Sequence, residues 1–430
     1  MDEVDVSFAV QRLGECRIPN PLKGVRYVSD EEHVLYHGTL EEVEDLIQAG
    51  QTPPHFEMGG PRAKICFDPS TLNCGIVTCG GLCPGLNDVI RAIVLSLHHH
   101  YGVRRVLGFR YGYEGLVRKY GHAPMELTPE VVSDFHEQGG TKLGSSRGPQ
   151  DISEMVDTLE KLEIGLLFTL GGDGTLRGAQ AVADEICRRG ASKTGIIGIP
   201  KTIDNDISYI QTSFGFATAV SEASEVIYAA HAEAEGARNG IGLVKLMGRE
   251  SGFIAAFATL ANSDVNFCLV PEVRFTLDGF LRALEKRLAH RRHAVVVVAE
   301  GAGQDLLEAG SGRDASGNIK FGDIGLFLRD RIGDHLKKAG VEASLKYIDP
   351  SYTIRSMPAS AYDSAFCLML GHNAVHAGMA GRTSMVVGHW RGEFTHVPIA
   401  AAVSRRKRID PHGRLWTGVI SATGQPRELV

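Results

Sequence analysis

The sequence predicts an α/β protein built as two doubly wound domains, with an N-terminal extension. Three observations predict it. Short apolar runs recur along the chain: "CGIVT", "RRVLGF", "IGLLFTL", "TGIIGIP", "LVKLM", "NFCLV" and "AVVVVA". Each has strand length and is apolar on both faces, as strands buried in a parallel sheet are. Between them lie helix-like segments such as "LNDVIRAIVLSLHHH", "DISEMVDTLEKLE" and "LRGAQAVADEICRRG", and this alternation defines a doubly wound sheet. Length is the third observation, because 430 residues are too many for one ordinary core and call for two domains.

Residues 1–70 read as an irregular extension in which "RIPNPL", "GQTPPHF" and "GGPRAK" mark loops. From there the strands and helices follow one another. His98, His99 and His100 read as the solvated end of the first helix, and Asp151 or Ser153 offers an N-cap to the second. The stretch "GAGQDLLEAGSGRDASGNIKFGD" is Gly-rich and polar, and is expected to be a mobile loop. Residues 394–430 read as a C-terminal tail, with the basic run Arg405-Arg406-Lys407-Arg408 in solvent.

Composition excludes several classes. A net charge of −6 provides no general attraction for nucleic acid. No apolar stretch reaches the ~18 residues of a membrane span. The acidic start "MDEVDVSFAV" is unlike a signal peptide, so a cytoplasmic protein is expected. The eight cysteines are scattered in mostly apolar contexts and are expected to be reduced. Cys74, Cys79 and Cys83 lie close together, but the second pair that structural zinc needs is missing.

Ligands of doubly wound folds bind at the carboxyl ends of the strands. Those ends are "TCGGLCPGLN", "TLGGDGTLRGA", "IPKTIDNDI", "KLMGRESG" and "VVAEGAG"; four of the five hold Gly, three of them beside a charged residue. Gly lets backbone amides approach a phosphate, and a following helix N-terminus adds a favourable dipole. A single such turn is more often a tight connection; four together indicate a phosphate-bearing ligand. Asp173 is the natural Mg²⁺ ligand. Asp204 is a candidate general base, or an orienter, for a hydroxyl attacking a phosphoryl group. Arg147 and Arg249 present planar, permanently charged forks to phosphate, and Lys201 adds a point charge. That set serves phosphoryl transfer, where catalysis is mostly positioning and charge neutralisation.

The segments "GGDGTLRGA", "PKTIDNDI", "SFGFATAV", "MGRESGFIAAFATLA" and "PSYTIRS" resemble the phosphofructokinase family, in the family's order, from about Cys74 to about Arg391. They are most similar to the long ATP-dependent branch of plants and trypanosomatids, which lies close to the pyrophosphate-dependent enzymes. The resemblance implies two Rossmann-like domains facing across an active-site cleft, a nucleotide-binding domain at 71–214 plus 354–393 and a sugar-phosphate domain at 215–353. It implies nucleotide-phosphate contacts at Gly80, Arg147, Gly148, Gly172, Asp173, Gly174 and Thr175, with Mg²⁺ on Asp173. Asp204 matches the base for the sugar 1-hydroxyl, with Thr202 and Asp206 lining the same site and Arg147 and Lys201 assisting transfer. Met247, Gly248, Arg249 and Glu300 match fructose 6-phosphate contacts, and Tyr352 and Arg355 match its 6-phosphate grip. Lys346 matches a residue supplied by a neighbouring subunit, which implies at least a homodimer and in the family's pattern a homotetramer. A second inter-subunit arginine of bacterial members has no counterpart at Gly240, where only Arg238 is near.

Donor choice turns on Gly174 and Lys201. Pyrophosphate-dependent relatives carry Asp at the first position and Lys at the second; short bacterial ATP enzymes have Gly at the second. The pairing of Gly with Lys is that of the long ATP-using branch. The reading is therefore an ATP-dependent 6-phosphofructokinase with Mg²⁺ as cofactor. The alternatives are a pyrophosphate-dependent enzyme of the same fold, another kinase sharing the "GGDG" turn, and a sugar-phosphate-binding regulator without catalysis.

Overall fold

The computed structural model describes residues 7–190, 193–307, 312 and 320–430. The chain divides into two compact units. The first comprises Met1–Thr202, Ile207–Gly215 and Met357–Arg405; the second comprises Ile203–Asp206, Phe216–Ser356 and Arg406–Val430. All seven apolar runs named above lie on strands.

Among the described residues, the first unit is organised on a nine-stranded sheet. Its centre is parallel, in the spatial order Met385–Trp390, Gly195–Pro200, Ile164–Gly171, Asn73–Thr78, Arg105–Phe109. The middle strands are buried almost throughout, which is why they read as unbroken apolar runs and not as alternating ones. Helices Leu86–Leu95 and Ala361–Met379 pack on each other, as do Ile152–Lys161 and Asp173–Arg189. Asp151 is the cap of the third of these, accepting from the Glu154 amide at 3.0 Å. The order of the strands reverses between Asn73–Thr78 and Ile164–Gly171. That switch point opens a crevice beyond the carboxyl ends of the two strands.

Three expectations are corrected here. The segment before residue 70 is not merely an irregular extension: His33–Leu35 and His55–Met58 add antiparallel strands to the sheet edge. Phe56 is fully buried, against Phe8, Tyr36, Tyr209 and Trp390. Cys16 and Cys66 form a disulfide. The short antiparallel pairing of Ile18–Pro19 with Lys64–Ile65 brings them together across 50 residues, a neighbourhood no local pattern reveals. The remaining six cysteines form no disulfide, and five of them are buried. Residues 394–430 are folded: Glu393–Pro398 pairs with Met385–Trp390, and Gln425 bonds both backbone sides of Cys268, at 2.7 and 3.3 Å.

Helix Leu86–Leu95 is α-helical only to Leu95, and Ser96–Tyr101 continues as a π-helix carrying His98–His100. Of these His99 is exposed, while the His100 ring lies 4.9 Å from that of His372. Part of the segment expected to be a mobile loop, 308–311 and 313–319, lies outside the described residues.

The second unit holds a parallel four-stranded sheet in the order Phe267–Leu269, His293–Ala299, Gly240–Leu246, Ser344–Ile348. Val296 and Val298 join Leu281, Leu284, Leu288, Ile324, Leu328 and Ile332 of two covering helices in one core. Helix Phe216–Glu235 packs close against strand Gly240–Leu246: a Cβ on Gly242 would stand 2.8 Å from the Ala230 carbonyl oxygen. No helix among the described residues is long and apolar enough to cross a membrane.

Candidate functional site

In the first unit the crevice is lined by backbone and by one fixed cation, Lys201. Strand Asn73–Thr78 delivers Gly80, whose φ of +85° lies in the left-handed region that glycine adopts without strain. The Gly80 amide donates to the Ser146 carbonyl at 3.1 Å, and the Ser145 hydroxyl donates to the Gly80 carbonyl at 2.6 Å. These two bonds join the Gly80 turn to the turn carrying Arg147 and Gly148. Lys201 follows strand Gly195–Pro200 and is 7% exposed. Its amide donates to Gly171 at 3.0 Å and its Nζ donates to the Gly81 carbonyl at 2.7 Å. The cation is thereby aimed between the two glycine turns, whereas Arg147 is exposed.

Strand Ile164–Gly171 ends at Gly172, and Asp173 begins helix Asp173–Arg189. A carboxylate suits that terminus because the helix dipole is positive there. Asp173 is largely buried and lies 3.6 Å from Arg177, one turn on. Thr175 is buried, and its carbonyl accepts from the Tyr113 hydroxyl at 2.7 Å. A Cβ on Gly174 would meet nothing within 4 Å. No group of three or more His, Cys, Asp or Glu among the described residues forms a metal cage. The donor chemistry of Asp173 fits Mg²⁺ of the kind that keeps most of its ligands from water and substrate phosphates.

The second unit contains the carboxylates. Asn205 sits between Asp204 and Asp206 with φ of 55°, a conformation that Asn tolerates better than most residues. Asp204 accepts from the Arg249 amide through Oδ2 at 3.4 Å, while its buried Oδ1 has no hydrogen-bond partner. Burial pushes the Asp204 carboxyl up to about 7; Asp206 and Glu300 push the same way, and Arg355 and the Arg249 amide pull against them. Arg355 lies 4.0 Å from Glu300.

Adjacent strands Gly240–Leu246 and His293–Ala299 deliver Met247–Arg249 and Glu300 side by side, joined by a Gly301-to-Gly248 hydrogen bond of 3.0 Å. Gly248 has φ of +122°, and a Cβ there would lie 2.6 Å from the Ser251 carbonyl oxygen, so only glycine fits. Asp204, Asp206, Arg249, Glu300 and Arg355 thus share one electrostatic neighbourhood. Tyr352 is 85% exposed, and Lys346 is exposed on edge strand Ser344–Ile348. The missing arginine has a local cause: a Cβ on Gly240 would fall 2.0 Å from the Ala234 carbonyl oxygen.

Two features of this unit were not read from the sequence. The Phe321 ring lies 4.2 Å from the Arg249 guanidinium carbon. It sits in a segment whose Gly-rich composition signalled only a loop. Lys245 pairs with Asp349 at 2.8 Å and Asp323 at 3.1 Å. It ties strand Gly240–Leu246 to the turn before helix Ser351–Ser356, which carries Arg355.

A glycine-lined crevice with a fixed lysine and a separate, poised carboxylate define a class: an α/β phosphotransferase. The phosphofructokinase family model matches residues 73–378, and the chain belongs to that family. It is 49% identical over 438 residues to an ATP-dependent 6-phosphofructokinase of Amycolatopsis methanolica, covering 98% of this chain and 95% of that one. It is 46% identical to an ATP-dependent 6-phosphofructokinase of Trypanosoma cruzi, covering 96% of this chain and 87% of the relative. A solved structure of a pyrophosphate-dependent phosphofructokinase from Marinobacter aquaeolei shares the fold, with a TM-score of 0.68 at 19% identity over 82% of this chain and 91% of that one.

Proposed function

We propose that this protein is an ATP-dependent 6-phosphofructokinase, transferring the γ-phosphoryl group of ATP to the 1-hydroxyl of fructose 6-phosphate. The observation that carries this reading is the buried, unpartnered Oδ1 of Asp204 on a carboxyl raised to about 7. A general base works best near the operating pH and needs a free lone pair for the proton. In the step proposed, the sugar oxygen forms its bond to the γ-phosphorus as the bond to the bridging oxygen of ADP breaks. The hydroxyl proton passes to Asp204.

Lys201, Arg147 and the amides around Gly80 and Gly172–Thr175 are assigned to the donor phosphates, and Thr202 and Asp206 to the lining of the sugar site beside Asp204. Asp173 is assigned to Mg²⁺, which would neutralise phosphate charge. Arg249, Met247, Gly248, Glu300 and Arg355 are assigned to the sugar phosphate, with Tyr352 and Lys346 at its edge. Lys201 and Asp204 are three residues apart in the chain, so their Cα atoms stay within about 11 Å by chain geometry alone. The empty space beside Gly174 supports ATP over pyrophosphate. The test is product formation from fructose 6-phosphate with each donor, followed by phosphorus NMR. Turnover with pyrophosphate and none with ATP overturns the donor; turnover with neither overturns the activity.

Two predictions belong here. Phe321→Ala removes the ring beside Arg249 and raises KM for fructose 6-phosphate about 2- to 5-fold, matching the about 0.5–1 kcal/mol of such a contact. Its kcat stays near wild type, and steady-state kinetics decide. The protein assembles as a homotetramer and at minimum a homodimer, a reading supported by Lys346 standing exposed on an edge strand. Sedimentation that returns the mass of one chain with full activity refutes it.

A further inference from the structure

The basic run Arg405-Arg406-Lys407-Arg408 was expected in solvent, yet three of its members are laced to the loops that carry the site. Arg406 Nη1 donates to Asp206 Oδ2 at 2.6 Å, and the Asp206 side chain is only 4% exposed. The Lys407 amide donates to the Asp206 carbonyl at 2.8 Å, and its Nζ lies 5.3 Å from the centre of the Phe253 ring. Arg408 pairs with Glu250 at 3.0 Å, next to Arg249. The Ile409 amide donates to Glu272 at 2.9 Å, and the same carboxylate oxygen accepts from the Gly252 amide at 3.0 Å. One strap, 406–409, thus holds the carboxylate loop and the loop after strand Gly240–Leu246 together.

We propose that Arg406 and Lys407 are positioning residues of the catalytic loop, which orient and neutralise Asp206 and thereby set the protonation of Asp204.

The inference rests on Asp204 being the base. Asp204 and Asp206 are separated by one residue, and an uncompensated charge on Asp206 opposes ionisation of its neighbour. The groups facing Asp204 are Asp206 from its own loop, Glu300 from the turn after His293–Ala299, Arg355 from helix Ser351–Ser356, and the Arg249 amide. Arg406 and Lys407 enter from the C-terminal strap and act on Asp206. Burial pushes the Lys407 ammonium down to about 8, against the pull of Asp206, so near neutral pH it adds a cation that fades as pH rises. A buried carboxylate also needs a partner on stability grounds, so loss of stability alone cannot carry the inference. The pH profile can.

The experiment measures kcat/KM for fructose 6-phosphate from pH 5.5 to 9.5 in the full-length enzyme. Removing the Arg406 charge leaves Asp206 less compensated, makes ionised Asp204 costlier and moves the acid limb to higher pH. Arg406→Gln is expected to shift that limb up by about one unit, the low end for a close opposite charge. Activity then falls about tenfold below the limb and recovers at pH 9. Arg406→Lys restores most of the wild-type profile, and Arg408→Gln leaves it in place.

If Arg406→Gln loses its cooperative melting transition, Lys407→Met carries the test, because it keeps the apolar stem and removes only the charge. It is expected to shift the limb in the same sense by less. An unchanged limb in the folded variants overturns the inference, as does a loss uniform across pH or a change confined to KM. The two readings separate in the Asp204→Asn background. If that single variant stays active the base assignment fails; if it is inactive while Arg406→Gln keeps a wild-type profile, only the strap inference fails.

Discussion

Asp204→Asn lowers kcat by about 10²–10⁴-fold, the usual cost of losing a general base, while binding of fructose 6-phosphate stays near wild type or tightens slightly. Asparagine keeps the shape that accepts from the Arg249 amide but cannot take a proton. Steady-state kinetics paired with calorimetric titration of the sugar phosphate separates the two effects. A variant that keeps more than about a tenth of wild-type kcat removes Asp204 from the role. In the wild type, kcat/KM should rise with pH through about 7, because the base is active only when ionised and its carboxyl is raised to that value.

The same shift has a stability consequence of opposite sense. A carboxyl raised in the folded state favours folding below its unfolded value and loses that contribution as pH rises through its folded value. Above pH 7 the ionised Asp204 is therefore a burden on the fold. Asp204→Asn should melt at a higher temperature than wild type at pH 8, and the difference should vanish by pH 4. A melting series across that range checks it.

Gly174→Asp cripples ATP use and leaves fructose 6-phosphate binding almost unchanged. The structure sharpens the reason. A Cβ at 174 would meet no atom within 4 Å, so the protein itself offers the new side chain no clash. An acidic residue in the first turn of helix Asp173–Arg189 is also favoured by the dipole. The variant should therefore fold normally, and its defect should appear only when a ligand arrives. Like charges brought together can cost several kcal/mol, so kcat/KM for ATP should fall about 10²-fold or more. Pyrophosphate carries no ribose-linked α-phosphate and should lose much less, with Lys201 still in place. Measuring kcat/KM for both donors at fixed magnesium decides, and equal losses would mean that Gly174 only shapes the backbone.

Much of this site was legible because its residues act through local chemistry. Gly80 and Gly248 are glycines since their backbone angles admit little else, and such needs show in a sequence as punctuation between strands. Asp173 stands where a helix begins, and Asp204 and Asp206 flank an Asn that takes the left-handed turn. The apolar runs were legible because a strand buried on both faces has no polar position to spare.

Tertiary structure alone decided the rest, for the opposite reason. Whether His55–Met58 joins a sheet depends on an edge offered by Glu393–Pro398, more than 300 positions away. Cys16 meets Cys66 through a two-residue pairing with no periodic signature. Phe321 reaches Arg249 from a segment that composition marks only as a loop. The basic run from Arg405 to Arg408 looks solvated because charge in a sequence carries no record of its partner. Arg406 meets Asp206, 200 residues earlier, only once the chain has folded back, and an ion pair between such distant residues leaves no local pattern to read.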